Sequence, residues 1–213
     1  MPGRELPPEP SGDVSRPPRG REARDPLGRE HAAEHGGDAS FLAITGGSAG
    51  GHLAALAALT PNDPEYQPGF EDVDTTVQAC VPFYGVYDFT NRARRVGGDG
   101  MGGFLERLVM KCRVADDPDA FRRASPVCRV RPDAPPFMIV HGTHDSFAPV
   151  EDARTFVTEL RAVSRAPVVS LELPDAQHAF DVFATPRTRH VIDGVAQFLR
   201  FVRASSAPTS AAE

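Results

Sequence analysis

The chain offers a hydroxyl, a carboxylate and an imidazole in an order that suits nucleophilic chemistry: Ser48, then Asp145, then His178. A serine hydroxyl attacks a carbonyl well only when a base removes its proton and an acid holds that base in place. Ser48 stands in Gly46-Gly47-Ser48-Ala49-Gly50, between the apolar run Phe41-Leu42-Ala43-Ile44 and a helix-forming run from His52 to Leu59. Strand, G-x-S-x-G, helix describes a turn tight enough to lift the serine above the edge of a sheet. Gly46, Gly47 and Gly50 are expected to relieve the crowding that such a turn creates. Ala49 follows the nucleophile, so its backbone N–H is expected to face a developing oxyanion.

The partners lie in loops that follow apolar runs. Phe137-Met138-Ile139-Val140 reads as a buried strand and leads into His141-Gly142-Thr143-His144-Asp145-Ser146. Val168 to Leu173 reads as another strand and leads into Pro174-Asp175-Ala176-Gln177-His178-Ala179-Phe180. Loops at the carboxyl ends of parallel strands are where such sheets present functional side chains. Other roles are open to these residues. Asp145 could cap the helix that Pro149 begins, and His178 could be a surface loop histidine. His141 and His144 read as loop residues because they precede the acid. His52, in the first turn after Ser48, reads as a packing or hydrogen-bonding residue.

From about Gly28 to Ala204 the chain resembles the bacterial carboxylesterase/lipase branch of the α/β-hydrolases, the hormone-sensitive-lipase-like group. The resemblance is carried by Gly46 to Leu53, Val81-Pro82-Phe83-Tyr84-Gly85, His141 to Asp145 and Gln177 to Phe180. It implies a catalytic triad of Ser48, Asp145 and His178. It also implies a carboxylic ester of short or medium acyl chain as substrate, and no metal or organic cofactor. Such enzymes carry a His-Gly-Gly-type loop upstream, whose N–H groups build much of the oxyanion hole. That loop should lie before residue 30, so the chain is expected to be the C-terminal portion of an α/β-hydrolase. His35-Gly36-Gly37-Asp38 imitates the motif, but it follows a helical pattern and directly precedes the elbow strand. It reads as a helix-terminating loop. Two outcomes are therefore expected as rivals: a working serine esterase, or an impaired, non-enzymatic fragment lacking part of the oxyanion hole. A peptidase with the same triad is a lesser alternative.

The positioning elements follow from periodicity. The expected order is a short helix, strand 41–45, helix 49–59, strand 77–83, an insertion, strand 136–141, helix 149–163, strand 168–173 and helix 186–203. Alternating strands and helices predict a mostly parallel α/β sheet with flanking helices. One stripe (Ala153, Phe156, Val157, Leu160, Val163) and another (Val191, Ile192, Val195, Phe198, Leu199, Val202) should face the core. Four strands are visible where the resemblance implies about twice as many; the missing ones would lie beside the elbow strand, whose bare edge could recruit a second copy. Residues 88–125 hold a glycine cluster (Gly97, Gly98, Gly100, Gly102, Gly103) before the amphipathic stretch Phe104 to Met110. This segment reads either as a short cap or as a plain connection.

Residues 1–27, rich in proline and arginine, and residues 205–213 read as disordered tails around a partial hydrolase domain at 28–204. The 213 residues carry a net charge of −6 with scattered basic groups, which argues against a nucleic-acid partner. No apolar run is long enough to span a bilayer. The carboxylates of residues 60–76 match no calcium-loop spacing. Cys80, Cys112 and Cys128 lack metal-ligand spacing and suit a reducing cytoplasm, although an export signal or anchor could lie in a missing N-terminal part.

Overall fold

The computed structural model describes residue 29 and residues 31–90 and 101–206. Both expected tails, apart from Ser205 and Ser206, and part of the insertion with Gly97, Gly98 and Gly100 lie outside these residues.

Four strands form one sheet in the spatial order β1 (Ala43–Gly47), β2 (Ala79–Phe83), β3 (Phe137–Gly142) and β4 (Val168–Leu173). Every neighbouring pair is parallel. Parallel strands need crossover helices, and these cover both faces. On one face lie α1 (Ala49–Leu59) and α4 (Val150–Val163); on the other lies α5 (Pro186–Ser206).

Alternation along the strands assigns each side chain to a layer. In β3, Phe137 and Ile139 pack with Ala54, Ala55, Phe156 and Leu160, whereas Met138 and Val140 pack with Val191, Phe198 and Val202. In β2, Cys80 joins the first layer and Ala79 and Val81 the second. Phe156 stacks on Tyr87 at 4.6 Å and meets Phe137 edge-on at 5.8 Å. Burying each such ring contributes about 1.5–3 kcal/mol.

Two expected core stripes are narrower than the sequence suggests. In α4, Val150, Ala153, Phe156, Val157 and Leu160 are buried, but Val163 in the last turn is exposed. In α5, Ile192 is 58% exposed because the stripe through Val191, Phe198 and Val202 meets the sheet first. The Thr185 hydroxyl accepts from the Thr188 N–H at 3.1 Å, capping α5. That helix continues to Ser206, slightly past its expected end.

The insertion contributes a third cluster. It contains α2 (Met101–Phe104), a π-helical turn (Leu105–Met110), α3 (Pro118–Arg123) and a 3-10 turn (Pro126–Cys128). Lys111, at φ +57°, ends the π turn. Met101, Leu105, Met110 and Phe121 pack on Val86, Phe89 and Ala148, which lie close to the strand ends.

Gly36 ends a 3-10 turn (Ala32–His35) with φ +72°, and the N–H groups of Gly36 and Gly37 bond back into that turn. The His35-Gly36-Gly37 loop therefore terminates a helix, as its position before β1 suggests. The carboxylates of the 60–76 loop bond largely to nearby backbone, Asp63 to the Glu65 N–H, Glu71 to the Gly69 N–H and Asp74 to the Thr76 N–H. Among the described residues, no helix is long and apolar enough to cross a membrane.

Candidate active site

Because the strands are parallel, the segments after β1, β3 and β4 emerge at the same edge of the sheet. Ser48 follows β1, Asp145 follows β3 and His178 follows β4. The sheet thereby joins side chains separated by up to 130 positions in sequence.

The serine turn is tighter than its sequence suggests. Gly46 and Gly47 are not part of a turn but complete β1, with Gly47 in register with Phe83. The reversal is concentrated at Ser48, which has φ +55° and ψ −121° and precedes the first residue of α1. Such a conformation is costly for a residue with a Cβ, and the surrounding bonds hold it. The Ser48 N–H donates to the Phe83 carbonyl at 3.0 Å, and the Ser48 carbonyl accepts from the His52 N–H at 3.0 Å. A Cβ on Gly47 would lie 2.6 Å from the Tyr84 hydroxyl, and one on Gly51 would lie 2.6 Å from the Phe83 carbonyl oxygen. Gly47 and Gly51 thus mark the closest approaches. Gly50 lies buried in the first turn of α1.

His178 bridges the other two side chains. Its Nδ1 lies 2.7 Å from Asp145 Oδ2, and its Nε2 lies 2.8 Å from Ser48 Oγ. Asp145 is fully shielded from solvent at its side chain. Its second oxygen, Oδ1, accepts from the N–H groups of Phe147 at 2.9 Å and Ala148 at 2.7 Å. Burial pushes the carboxyl pKa up, but hydrogen bonds from His141, the Ala148 N–H and His178 outweigh it and hold the pKa below the usual carboxylate range. An ionised carboxylate can only accept. His178 Nδ1 must therefore carry the proton, leaving the Nε2 lone pair toward the Ser48 hydroxyl. Asp145 does not cap α4; Pro149 occupies that position.

The other histidines separate clearly. His141 is a buried residue of β3 rather than a loop residue, because the strand runs two residues past the apolar stretch that announces it. Its Nε2 donates to the Ala148 carbonyl at 2.8 Å and lies 3.5 Å from Asp145 Oδ2. His144 is exposed beside Asp175. His52 is buried, stacks on Phe89 at 4.4 Å and donates from Nδ1 to the Val86 carbonyl at 2.8 Å. Desolvation lowers its pKa to about 4, so it is neutral at physiological pH.

A cavity of about 560 Å³ opens beside Ser48 and Ala49. Its walls are His52, Leu53 and Leu56 from α1, and Met101, Leu105, Val109 and Met110 from the insertion. An apolar chamber of this size suits a small ligand with little polarity. Phe147, whose ring lies 5.1 Å from that of His178, also lines it. Gly51 and Tyr84 fall within the motifs that carry the resemblance but have no individual role there, and Phe147 lies outside those motifs. The second glycine before His52 is a local signal for Gly51, and Tyr84 follows a strand directly. Phe147 carries no comparable signal.

Known proteins extend these observations. A family model for BD-FAE matches residues 28–160. The probable carboxylic ester hydrolase LipM of Mycobacterium tuberculosis is 54% identical over 175 residues, covering 82% of this chain and 40% of the relative. Esterase LipQ of the same organism is 51% identical over 170 residues, covering 80% and 40%. The chain thus spans 40% of the length of these two curated relatives. Among solved structures, a thermophilic esterase from the Planctomycetes species Thermogutta terrifontis is similar at TM-score 0.66 and 25% identity, covering 89% of this chain and 64% of that one. A truncated carbohydrate esterase from gut microbiota is similar at TM-score 0.71 and 23% identity, covering 84% and 67%. The four-stranded parallel sheet with helices on both faces is accordingly an α/β-hydrolase fold. With a strand-to-helix serine turn at its edge and a family match over more than half of its length, the chain belongs to the BD-FAE family.

Proposed function

We propose that the chain carries the site of a serine hydrolase that cleaves carboxylic esters through an acyl-enzyme. The observation that carries this reading is the double contact of His178, 2.8 Å to the Ser48 hydroxyl and 2.7 Å to the Asp145 carboxylate. Ser48 Oγ attacks the ester carbonyl as His178 Nε2 takes its proton. Asp145 holds the tautomer and stabilises the imidazolium that forms. The Ala49 N–H, at the start of α1, donates to the oxyanion. His178 then returns the proton to the departing alcohol, and water repeats the sequence to release the acid.

The apolar cavity supports an uncharged acyl or alcohol group of short to medium length. The similarity to LipM, a probable carboxylic ester hydrolase, and to esterase LipQ supports esters over amides as the substrate class. In this reading residues 28–204 are a partial hydrolase domain, and 88–125 serve as a cap over the cavity. A reducing cytoplasm is the proposed setting, in keeping with three free cysteines.

One observation favours a second reading, an impaired fragment. On the outer side of β1, where the resemblance places further oxyanion donors, no strand pairs with it among the described residues. Losing one such donor costs about 10²–10³ in turnover. Hydrolysis of p-nitrophenyl butyrate decides between the two readings. Turnover that falls by about 10⁴-fold or more in Ser48→Ala is expected for a working esterase. A folded chain without Ser48-dependent turnover would leave the impaired fragment.

A further inference from the structure

His178 lies in a loop that must hold its ring in line with two partners, and the two halves of this loop are anchored differently. On the near side, residues 175–177 are tied to the Asp145 loop. The Asp175 N–H donates to Thr143 Oγ1 at 3.0 Å, the His144 N–H to the Ala176 carbonyl at 3.1 Å, and the Ser146 N–H to Gln177 Oε1 at 3.2 Å. On the far side, the Asp181 carboxylate accepts a hydrogen bond from the Tyr84 hydroxyl. Tyr84 directly follows β2, between the serine turn and the acid loop.

Tyr84 is placed for this contact by several independent features. Its N–H donates to the Val140 carbonyl at 2.7 Å, which fixes its backbone to β3. It adopts φ +36°, a left-handed conformation uncommon for a bulky residue. Ala179, next to His178, also has a positive φ, +56°. The Tyr84 side chain passes over Gly47, where a Cβ would lie 2.6 Å from its hydroxyl. Its ring meets the His178 ring edge-on at 4.8 Å and the Phe180 ring at 5.6 Å. Burial, and then the hydrogen bond to Asp181, push the phenol pKa up, so the hydroxyl stays a donor.

We propose that Tyr84 and Asp181 act as a positioning pair for His178. Their hydrogen bond ties the far half of the loop to the end of β2, so that the Tyr84 ring limits rotation of the imidazole. This inference rests on the reading of His178 as the general base. Neither residue reaches the reacting atoms; both act through the imidazole, whose alignment must hold to a fraction of an ångström.

The test uses the full chain. Tyr84→Phe keeps the ring and removes the donor, and Asp181→Ala removes the acceptor. Each is expected to lower kcat about tenfold while KM changes by less than about twofold. The double variant is expected to be no slower than the slower single, because both remove the same bond. Asp181→Asn keeps an acceptor oxygen and is expected to stay within about twofold of the parent chain. A second readout does not need turnover: the NMR linewidth of the His178 Cε1–H should broaden in Tyr84→Phe and Asp181→Ala but not in Asp181→Asn. A parent chain without Ser48-dependent turnover would overturn the esterase reading, and the linewidths alone would then decide the positioning pair. Unchanged linewidths in both single variants overturn it, as do rate losses that multiply in the double.

Discussion

The two flanks of Ser48 are built to different degrees. On one side, β2 and β3 are buried almost throughout, α1 and α4 cover one face, and α5 covers the other. His178 and Asp145 arrive from this side. On the other side, the residues of β1 alternate between exposed and half-buried, and its outer edge pairs with no strand among the described residues. The geometry around His178 is nonetheless closed. The contacts among Ser48, His178 and Asp145 follow from the strand order from β1 to β4. They are thus a property of the covered flank, and the β1 edge is the less enclosed side among the described residues.

Substituting the same residue type on both flanks breaks or sharpens this contrast. Ile139 in β3 is fully buried, whereas Ile44 in β1 is half-buried against the same cluster. Ile139→Ala is expected to cost about 4 kcal/mol and Ile44→Ala about 1.5 kcal/mol. Urea unfolding of both variants measures this directly, and equal losses would mean that the β1 edge is covered in solution.

A second contrast lies in pH. His52 sits on the finished flank with its pKa lowered to about 4, against an ordinary value of 6.5. The unfolded chain therefore binds a proton between these values that the folded chain does not. The stability from neutral His52 is complete above about pH 6.5 and is lost as pH falls toward about 4, amounting to about 3 kcal/mol. Urea midpoints at pH 7, 5.5 and 4 should show the decline, and His52→Gln should flatten it.

The smallest expected effect concerns the bare edge. Ala43 is exposed at the start of β1, so Ala43→Lys should change stability by only about 0.5 kcal/mol. A lysine there would nevertheless discourage strand pairing between copies. If the edge recruits a second chain, sedimentation should shift toward monomer in this variant. An unchanged distribution would remove the edge as an oligomer contact.

How much of this was legible in the sequence depended on range. The serine turn was visible because glycines, an apolar run and a helix former stand side by side. Even so, the boundary between strand and turn fell at Gly47 rather than before Gly46, since apolar patterning does not mark where a ladder ends. The same blindness assigned His141 to a loop, when β3 extends through Gly142. Asp145 and His178 were legible as loop residues after strands. That the His178 imidazole lies within 3 Å of both Asp145 and Ser48 required the strand order, which no local pattern contains. Tyr84 and Asp181, 97 positions apart, carry no sequence signal for one another. Ile192 looked like a core residue because helical periodicity gives the stripe but not its width.

The most direct measurement is covalent labelling with a fluorophosphonate followed by peptide mapping. The account predicts one label per chain, on the peptide that contains Ser48, lost in Ser48→Ala and strongly slowed in His178→Ala. A folded chain that takes no label, or that is labelled at another residue, would contradict it.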